Sequence, residues 1–354
     1  MKKYENLLTI ILITKDRFDF INRLLSYYDF INLKSNIIIA DSTEFEKNNL
    51  DKYYYKNYKN LSIEFFSRPN IRPENLQLEM LKKVSTKYTI VCADDDIILE
   101  NSIIKCIDFL ESNSDYTSAT GRIHGFASKK DKSKNCKIYV WDEYNQKNIT
   151  QNNPNKRLKN YLSNYWVNFF SITRTEEYIK SSSYSNLSQS SALRGEVIPC
   201  MSLALIGKTK KLDHLHMVRQ FFLEKKHYPL ISVLEYSIKN SGWSDEIINL
   251  RKDLKEGIPD NFIKSKKNFD SHLNSGLYYF MRNEVLIYNK KVIFEYLYAY
   301  IFNKGKVKAI LNITINLYKK VRGFFIFYKK RKKNLYLKDE KEFLRLKNFL
   351  KFED

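Results

Sequence analysis

Apolar positions along the first hundred residues switch between two periods. Leu7-Leu8-Thr9-Ile10-Ile11-Leu12-Ile13 is a near-continuous apolar run of buried-strand length. Phe18, Ile21, Leu24, Leu25 and Tyr28 then recur at helical spacing. Asn36 to Ala40 reads as a second strand closed by Asp41 and Ser42, and Leu61 to Phe66 as a third. Leu76, Met80, Leu81 and Val84 form a second helical stripe, Tyr88 to Ala93 a fourth strand, and Ile97 to Leu110 a further helix. Strand, helix, strand, strand, helix, strand implies crossover units, hence an α/β fold with a mostly parallel sheet covered on both faces.

Beyond that point the pattern weakens. Residues 111–160 read as loops with one strand at Lys137 to Trp141, and 161–174 return to buried, aromatic character. Ser181 to Ser191 is a serine-rich loop, and Arg194 to Lys208 a helix ending near Gly207. After about residue 225 the spacing is helical with basic polar faces, which divides the chain into residues 1–225 and a mainly helical region, 226–354. Hydrophobic residues at 43% allow a sizeable core and exclude a wholly disordered chain. Nine glycines argue against glycine-rich phosphate loops. Cys92, Cys106, Cys136 and Cys200 show no CxxC spacing, which argues against a disulfide scaffold or a structural zinc site and suits a reducing compartment. The apolar run near the N-terminus is short and ends at Lys15-Asp16-Arg17, so it reads as a strand rather than a signal peptide.

The net charge of +21 is unevenly placed. Residues 301–354 carry 16 Lys and Arg against five Asp and Glu, a net of +11. Apolar and aromatic stretches (Ile310 to Tyr318, Phe324 to Tyr328) alternate there with the cluster Lys329 to Lys333. The mixture predicts a helix lying on an anionic bilayer, the alternative being a helical cap with a solvated basic face.

The sharpest chemical feature is Asp94-Asp95-Asp96, placed directly after a buried strand. In open parallel sheets ligands bind beyond the carboxyl ends of the strands. Three consecutive carboxylates there need a counter-charge, which a hard divalent cation bridging to phosphates supplies. The alternative is an acidic N-cap for the next helix. Other strand ends agree: Thr14, Lys15, Asp16 and Arg17 close the first, Asp41 and Ser42 the second, and Arg68, Asn70 and Arg72 follow the third. Converging, they offer a carboxylate for a base or ribose and cations for a diphosphate.

The segments LTIILITKDRFDFINRLLSYY, IIIADS and KYTIVCADDDIILENSI resemble family 2-type glycosyltransferases of the GT-A fold, in particular a bacterial subgroup found in surface-polysaccharide gene clusters. The resemblance spans about residues 5–225 and is best over 7–110. It implies Mn²⁺ or Mg²⁺ held against a nucleotide-sugar diphosphate, with Asp96 the first candidate ligand, Asp94 the second, and Asp95 a ribose or sugar contact. It matches Asp41 to the acidic residue that reads the base, and Thr14 and Arg17 to the nucleotide-binding end of the first strand. Where the commoner pattern is PxYN this chain has Ile13-Thr14-Lys15-Asp16, which leaves the base open. A nucleotide-sugar donor, a glycan or lipid-linked acceptor and a peripheral place on the inner face of the cytoplasmic membrane follow as expectations.

Glu196 matches an acidic position in the family's second half and is the candidate general base, against the alternative of a helix-start glutamate. Asp115 and Asp213 are further candidates. His124, His214 and His216 are read as ordinary polar or partly buried histidines, with completion of the metal shell as the alternative. Arg219 is a candidate clamp on the departing diphosphate. One rival is a sugar nucleotidyltransferase, disfavoured because Thr14 to Phe18 contains no glycine. A nucleic-acid-binding protein is disfavoured by the carboxylates in the crevice and by charge gathered at one end, so nucleic acid is not an expected partner.

Overall fold

The structure is a computed structural model that describes residues 4–44, 58, 60–130, 136–188, 193–220, 236–237, 241–256, 266–283 and 341–352. The apolar run near the start forms β1 (Leu8–Thr14), which lies between β2 (Asn36–Asp41) and β4 (Tyr88–Ala93), with β3 (Ser62–Ser67) outermost, all four parallel. Between them run α1 (Phe18–Phe30) and α2 (Pro73–Leu81), the latter with proline in its first turn, where no N–H is missed. The register sets Thr14 beside Asp41, Asp41 beside Ser67 and Ile13 beside Ala93, so the carboxyl ends of these strands finish level.

The sheet continues as β8 (Ile172–Arg174), β6 (Tyr116–Lys130), β9 (Lys208–Gln220) and β5 (Asp96–Ile98), with β7 (Cys136–Glu143) on β6. This half is mixed: β6 and β9 are parallel, whereas β4–β8, β6–β8, β6–β7 and β5–β9 are antiparallel. The sheet is thus parallel over β1–β4, as expected, and mixed beyond.

Several local expectations change. Asp96 begins a short strand rather than leading straight into a helix, and α3 (Glu100–Ser112) starts after Leu99. Neither Asp95 nor Asp96 caps that helix, which removes the capping alternative. The stretch read as loops holds the long strand β6 and α4 (Pro154–Ser163), announced by Asn153, whose side chain accepts from the Lys156 N–H, and by Pro154. The serine-rich loop starts inside α5 (Thr175–Ser183). A π-helical turn, Leu193–Val197, leads into α6 (Ile198–Ile206). Buried Arg157 of α4 donates to the carbonyls of Ala204 and Leu205, closing the C-terminal end of α6.

The apolar residues of β1, α1, β4, α3 and β9 form the main cluster. Helix Trp243–Glu256 and the helix over 266–283 pack Leu250, Leu254, Phe269, Leu273 and Phe280 against α4 and α6. The C-terminal helix Lys341–Phe352 returns to the main cluster: Phe343, Leu346 and Leu350 are buried in it, and the Phe349 ring lies 5.3 Å from that of Tyr27 on α1. Its apolar face is therefore turned to protein. The rest of the basic segment from residue 301, including Phe324 to Tyr328 and Lys329 to Lys333, lies outside the described residues. No described helix is long and apolar enough to cross a membrane.

Candidate active site

The level strand ends are stitched by backbone hydrogen bonds. Ser42 N–H donates to Thr14 C=O at 3.0 Å, Arg68 N–H to Asp41 C=O at 2.7 Å, and Asn70 N–H to Ser42 C=O at 3.1 Å. Asp16 and Asn70 both adopt left-handed backbone (φ 56° and 62°), a conformation short polar side chains tolerate, and each turns the chain at a strand end.

Asp94, Asp95 and Asp96 follow β4 directly. Asp94 and Asp96 are almost wholly buried, at 2% and 1% exposure. The Thr14 hydroxyl donates to Asp94 Oδ2 at 2.7 Å. Arg17, just past β1, forks: Nη1 lies 2.8 Å from Asp94 Oδ1 as an ion pair without hydrogen-bond alignment, and Nη2 donates to Asp95 Oδ2 at 2.7 Å. Asp96 faces Arg219 across the β5–β9 pairing, and the Arg219 Nε–H donates to its Oδ2 at 2.8 Å. The Arg219 guanidinium lies over the Phe170 ring at 4.1 Å and the Tyr144 ring at 5.2 Å, while Arg17 lies 4.3 Å from the Phe20 ring. Each arginine thus has a carboxylate on one side and a π face on the other.

Two arginines do not fully compensate three carboxylates in so dry a place. Burial pushes Asp94 up to about 7, against the pull of Arg17, and pushes Asp96 up to about 7, against the pull of Arg219. The site is short of positive charge and built from hard oxygen donors. Those two properties fit a divalent cation at Asp94 and Asp96.

Asp41 is wholly enclosed. Its Oδ1 accepts from the Thr43 N–H at 2.8 Å and from the Thr43 hydroxyl at 2.5 Å. Its Oδ2 is buried without a hydrogen bond among the described residues. Arg68 is engaged elsewhere: its Nε–H donates to Glu79 of α2 at 2.7 Å, so its charge is already partnered.

Glu196 sits in the π-helical turn and accepts from the Tyr165 hydroxyl at 2.8 Å. Burial raises its pKa, and the Tyr165 hydrogen bond and the Arg219 charge oppose this. Asp115 and Asp213 do not join the group. Asp115 is 58% exposed with Lys208 at 2.6 Å, and Asp213 is 96% exposed with Arg122 at 3.4 Å. His214 and His216 turn to Ser102 and Cys106 of α3. His124 is buried on β6.

The structure therefore brings together Thr14, Arg17, Asp94, Asp95, Asp96 and Arg219, with Asp41 stitched alongside, whereas the described hydrogen bond of Glu196 goes to Tyr165. Sequence reasoning missed Tyr165, Phe170, Tyr144 and Thr43. Only Thr43 carried a local signal, an Asp-Ser-Thr turn at a strand end.

No protein-family model matches the chain, and no curated protein matches it. Among solved structures, the chain is similar to residues 1–349 of TarS from S. aureus, also solved in complex with UDP-GlcNAc, at 12% identity over 77% of this chain and 89% of that one, TM-score 0.43. It is similar to the mannosyltransferase PcManGT from Pyrobaculum calidifontis in complex with GDP-Man and Mn²⁺, at 10% identity over 93% of this chain and 87% of that one, TM-score 0.40. A CMP:2-keto-3-deoxy-manno-octonic acid synthetase complexed with CTP matches at 7% identity over 59% of this chain and 90% of that one, TM-score 0.35.

Proposed function

We propose that this chain is a GT-A-type glycosyltransferase that moves a sugar from a nucleoside-diphosphate sugar to a hydroxyl of a glycan or lipid-linked acceptor in cell-surface polysaccharide synthesis. The observation that carries the reading is the pair Asp94 and Asp96: buried, short of counter-charge, and set with two arginines at the carboxyl ends of parallel strands. A diphosphate entering this crevice meets Arg17 and Arg219. Asp41 Oδ2 accepts from a base or ribose donor, and Arg68 lies at the rim beside Ser67. Asp95, held by Arg17, faces the ribose or the sugar.

Asp96, with Asp94, would hold Mn²⁺ or Mg²⁺, which when bound neutralises charge on the leaving diphosphate. Glu196 takes the proton from the attacking hydroxyl. Its raised pKa favours that role, and Tyr165 fixes its orientation. Arg219, steadied by Phe170 and Tyr144 and held at Asp96, stabilises charge on the departing phosphate.

The test is a screen of nucleotide sugars for donor hydrolysis and transfer, with and without Mn²⁺. The expected result is turnover of one donor class that EDTA removes. No turnover of any nucleotide sugar, together with release of pyrophosphate from a nucleoside triphosphate and a sugar phosphate, overturns it in favour of nucleotidyl transfer. The net +11 of residues 301–354 supports a peripheral place on an anionic membrane surface. Co-sedimentation with phosphatidylglycerol vesicles but not neutral ones, weakening as salt rises, is the expected outcome.

A further inference from the structure

A second buried polar cluster plays no part in the site above. Cys106 of α3 and His214 and His216 of β9 are all buried, and one ligand atom from each lies within 4.8 Å of the others. No other three His, Cys, Asp or Glu side chains among the described residues are so gathered, the aspartate run included. Three features bear on what the cluster binds.

The first is orientation. His216 Nε2–H donates to the Phe170 carbonyl at 2.8 Å, which leaves Nδ1 as the lone-pair nitrogen facing the cluster. A backbone carbonyl on the far nitrogen is how metal-ligating histidines are commonly aimed. The second is spacing. His214 Nε2 and Cys106 Sγ are 3.9 Å apart. On a tetrahedral ion with metal–sulfur near 2.3 Å and metal–nitrogen near 2.0–2.1 Å, such atoms stand about 3.5 Å apart. The third is room and access. The Ser102 hydroxyl lies 2.7 Å from His214 Nε2 and 2.5 Å from His216 Nδ1, bridging them where an ion would sit. A different Ser102 χ1 rotamer would vacate that point. Gly121 of β6 admits the His214 ring, since a Cβ there would run into the His214 carbonyl oxygen and Nε2. A cleft of about 490 Å³, lined by Glu100, Lys105, Asp213 and Arg345 among others, has one of the three, His214, in its wall.

We propose that Cys106, His214 and His216 bind Zn²⁺, with water from the cleft as fourth ligand, and that the ion ties α3 to β9. A thiolate with two imidazoles is a borderline-soft donor set that suits zinc, whereas the hard Asp94–Asp96 oxygens suit Mg²⁺ or Mn²⁺. On loading, the Cys106 thiol gives its proton to solvent, the thiolate and two neutral imidazoles bind, and no electron is transferred. The cysteine spacing pointed away from zinc because these ligands meet only in space. The ion would sit behind the proposed catalytic face, since Phe170, whose carbonyl aims His216, also carries Arg219 on its ring.

The test uses the untagged full chain, incubated with excess Zn²⁺, desalted and analysed by plasma mass spectrometry. About one zinc per chain is expected. Replacement by Co²⁺ should give a thiolate-to-cobalt charge-transfer band in the near ultraviolet, lost in Cys106→Ser and kept in Asp96→Asn. That contrast separates this site from the aspartate site, so failure of the glycosyltransferase reading leaves it standing. Should Cys106→Ser not fold, Ser102→Ala decides: it keeps all three ligands and is expected to hold zinc as well as the wild type or better. Wild type that retains under about a tenth of an equivalent, a cobalt spectrum without the thiolate band, or zinc loss in Ser102→Ala overturns the proposal and leaves a hydrogen-bonded hub centred on Ser102.

Discussion

Two buried polar clusters share β9 and meet burial in opposite ways. Around Arg219 the groups are ionic: Asp94, Asp95 and Asp96 face Arg17 and Arg219 at 2.7–2.8 Å. Around His216 they are neutral: burial pushes His214 down to about 3 and His216 down to about 4, and lifts the Cys106 thiol to about 12. An imidazole or thiol can shed its charge and keep its hydrogen bonds. A guanidinium cannot, so every carboxylate beside it is drawn toward ionisation. The ionic cluster is held out of balance, with Asp94 and Asp96 raised to about 7, and the neutral one rests on donor–acceptor matching. A shortage of positive charge invites a cation, which is why the aspartate face, and not the histidine face, is the candidate for holding a hard divalent ion against a diphosphate.

The largest expected effect breaks the ionic cluster outright. Asp96→Ala should abolish transfer and should weaken nucleoside-diphosphate binding only when Mn²⁺ or Mg²⁺ is present. Isothermal titration with and without EDTA checks the second half, and full activity in this variant would remove the aspartate run from the chemistry.

Next comes the proton. Glu196→Gln keeps the shape and the Tyr165 contact but takes no proton, so turnover should fall by about 10²-fold while donor binding stays near normal. Tyr165→Phe sharpens this. The hydroxyl lowers the Glu196 pKa, so its loss should move the acid limb of the pH–rate profile upward. An unmoved limb would mean that another group sets it.

A smaller effect reads the imbalance through stability. An aspartate raised from about 4 in the unfolded chain to about 7 when folded makes the native state bind more protons between those values. Its stabilisation is complete below pH 4 and is lost as pH rises through about 7. Without added cation, the stability of wild type relative to Asp94→Asn should therefore fall across that window, by up to a few kcal/mol. Urea unfolding at pH 4, 5.5 and 7 measures it, and a rising difference would contradict the under-compensated site. The smallest effect belongs to the exposed pair. Asp115→Asn should change stability by under about 0.5 kcal/mol and leave turnover unchanged, because water already screens the Asp115–Lys208 contact. A large loss of turnover would make Asp115, not Glu196, the base.

What could be read from the chain follows from how each element is buried. β1, β2 and β4 are covered on both faces, so nearly every residue is apolar and a run such as Leu8 to Ile13 is a strand from sequence alone. With those strands parallel, Thr14, Asp41 and Asp94 had to finish at one edge, and that half of the site was legible. β6 and β9 carry Thr, Arg, His and Lys among their apolar positions, because their polar side chains find partners on other elements, and no period survives in such a run. The sequence by itself determined the parallel half, the carboxylate run at its edge and a basic C-terminal region. Only the tertiary structure decided that Arg219 from a distant strand meets Asp96, that Tyr165 orients Glu196, that Cys106 lies with two histidines, and that the C-terminal helix turns its apolar face to α1. Hydrophobic burial has a period that one segment carries alone, whereas an ion pair or a ligand set needs two segments, and their meeting is fixed by packing rather than by either sequence.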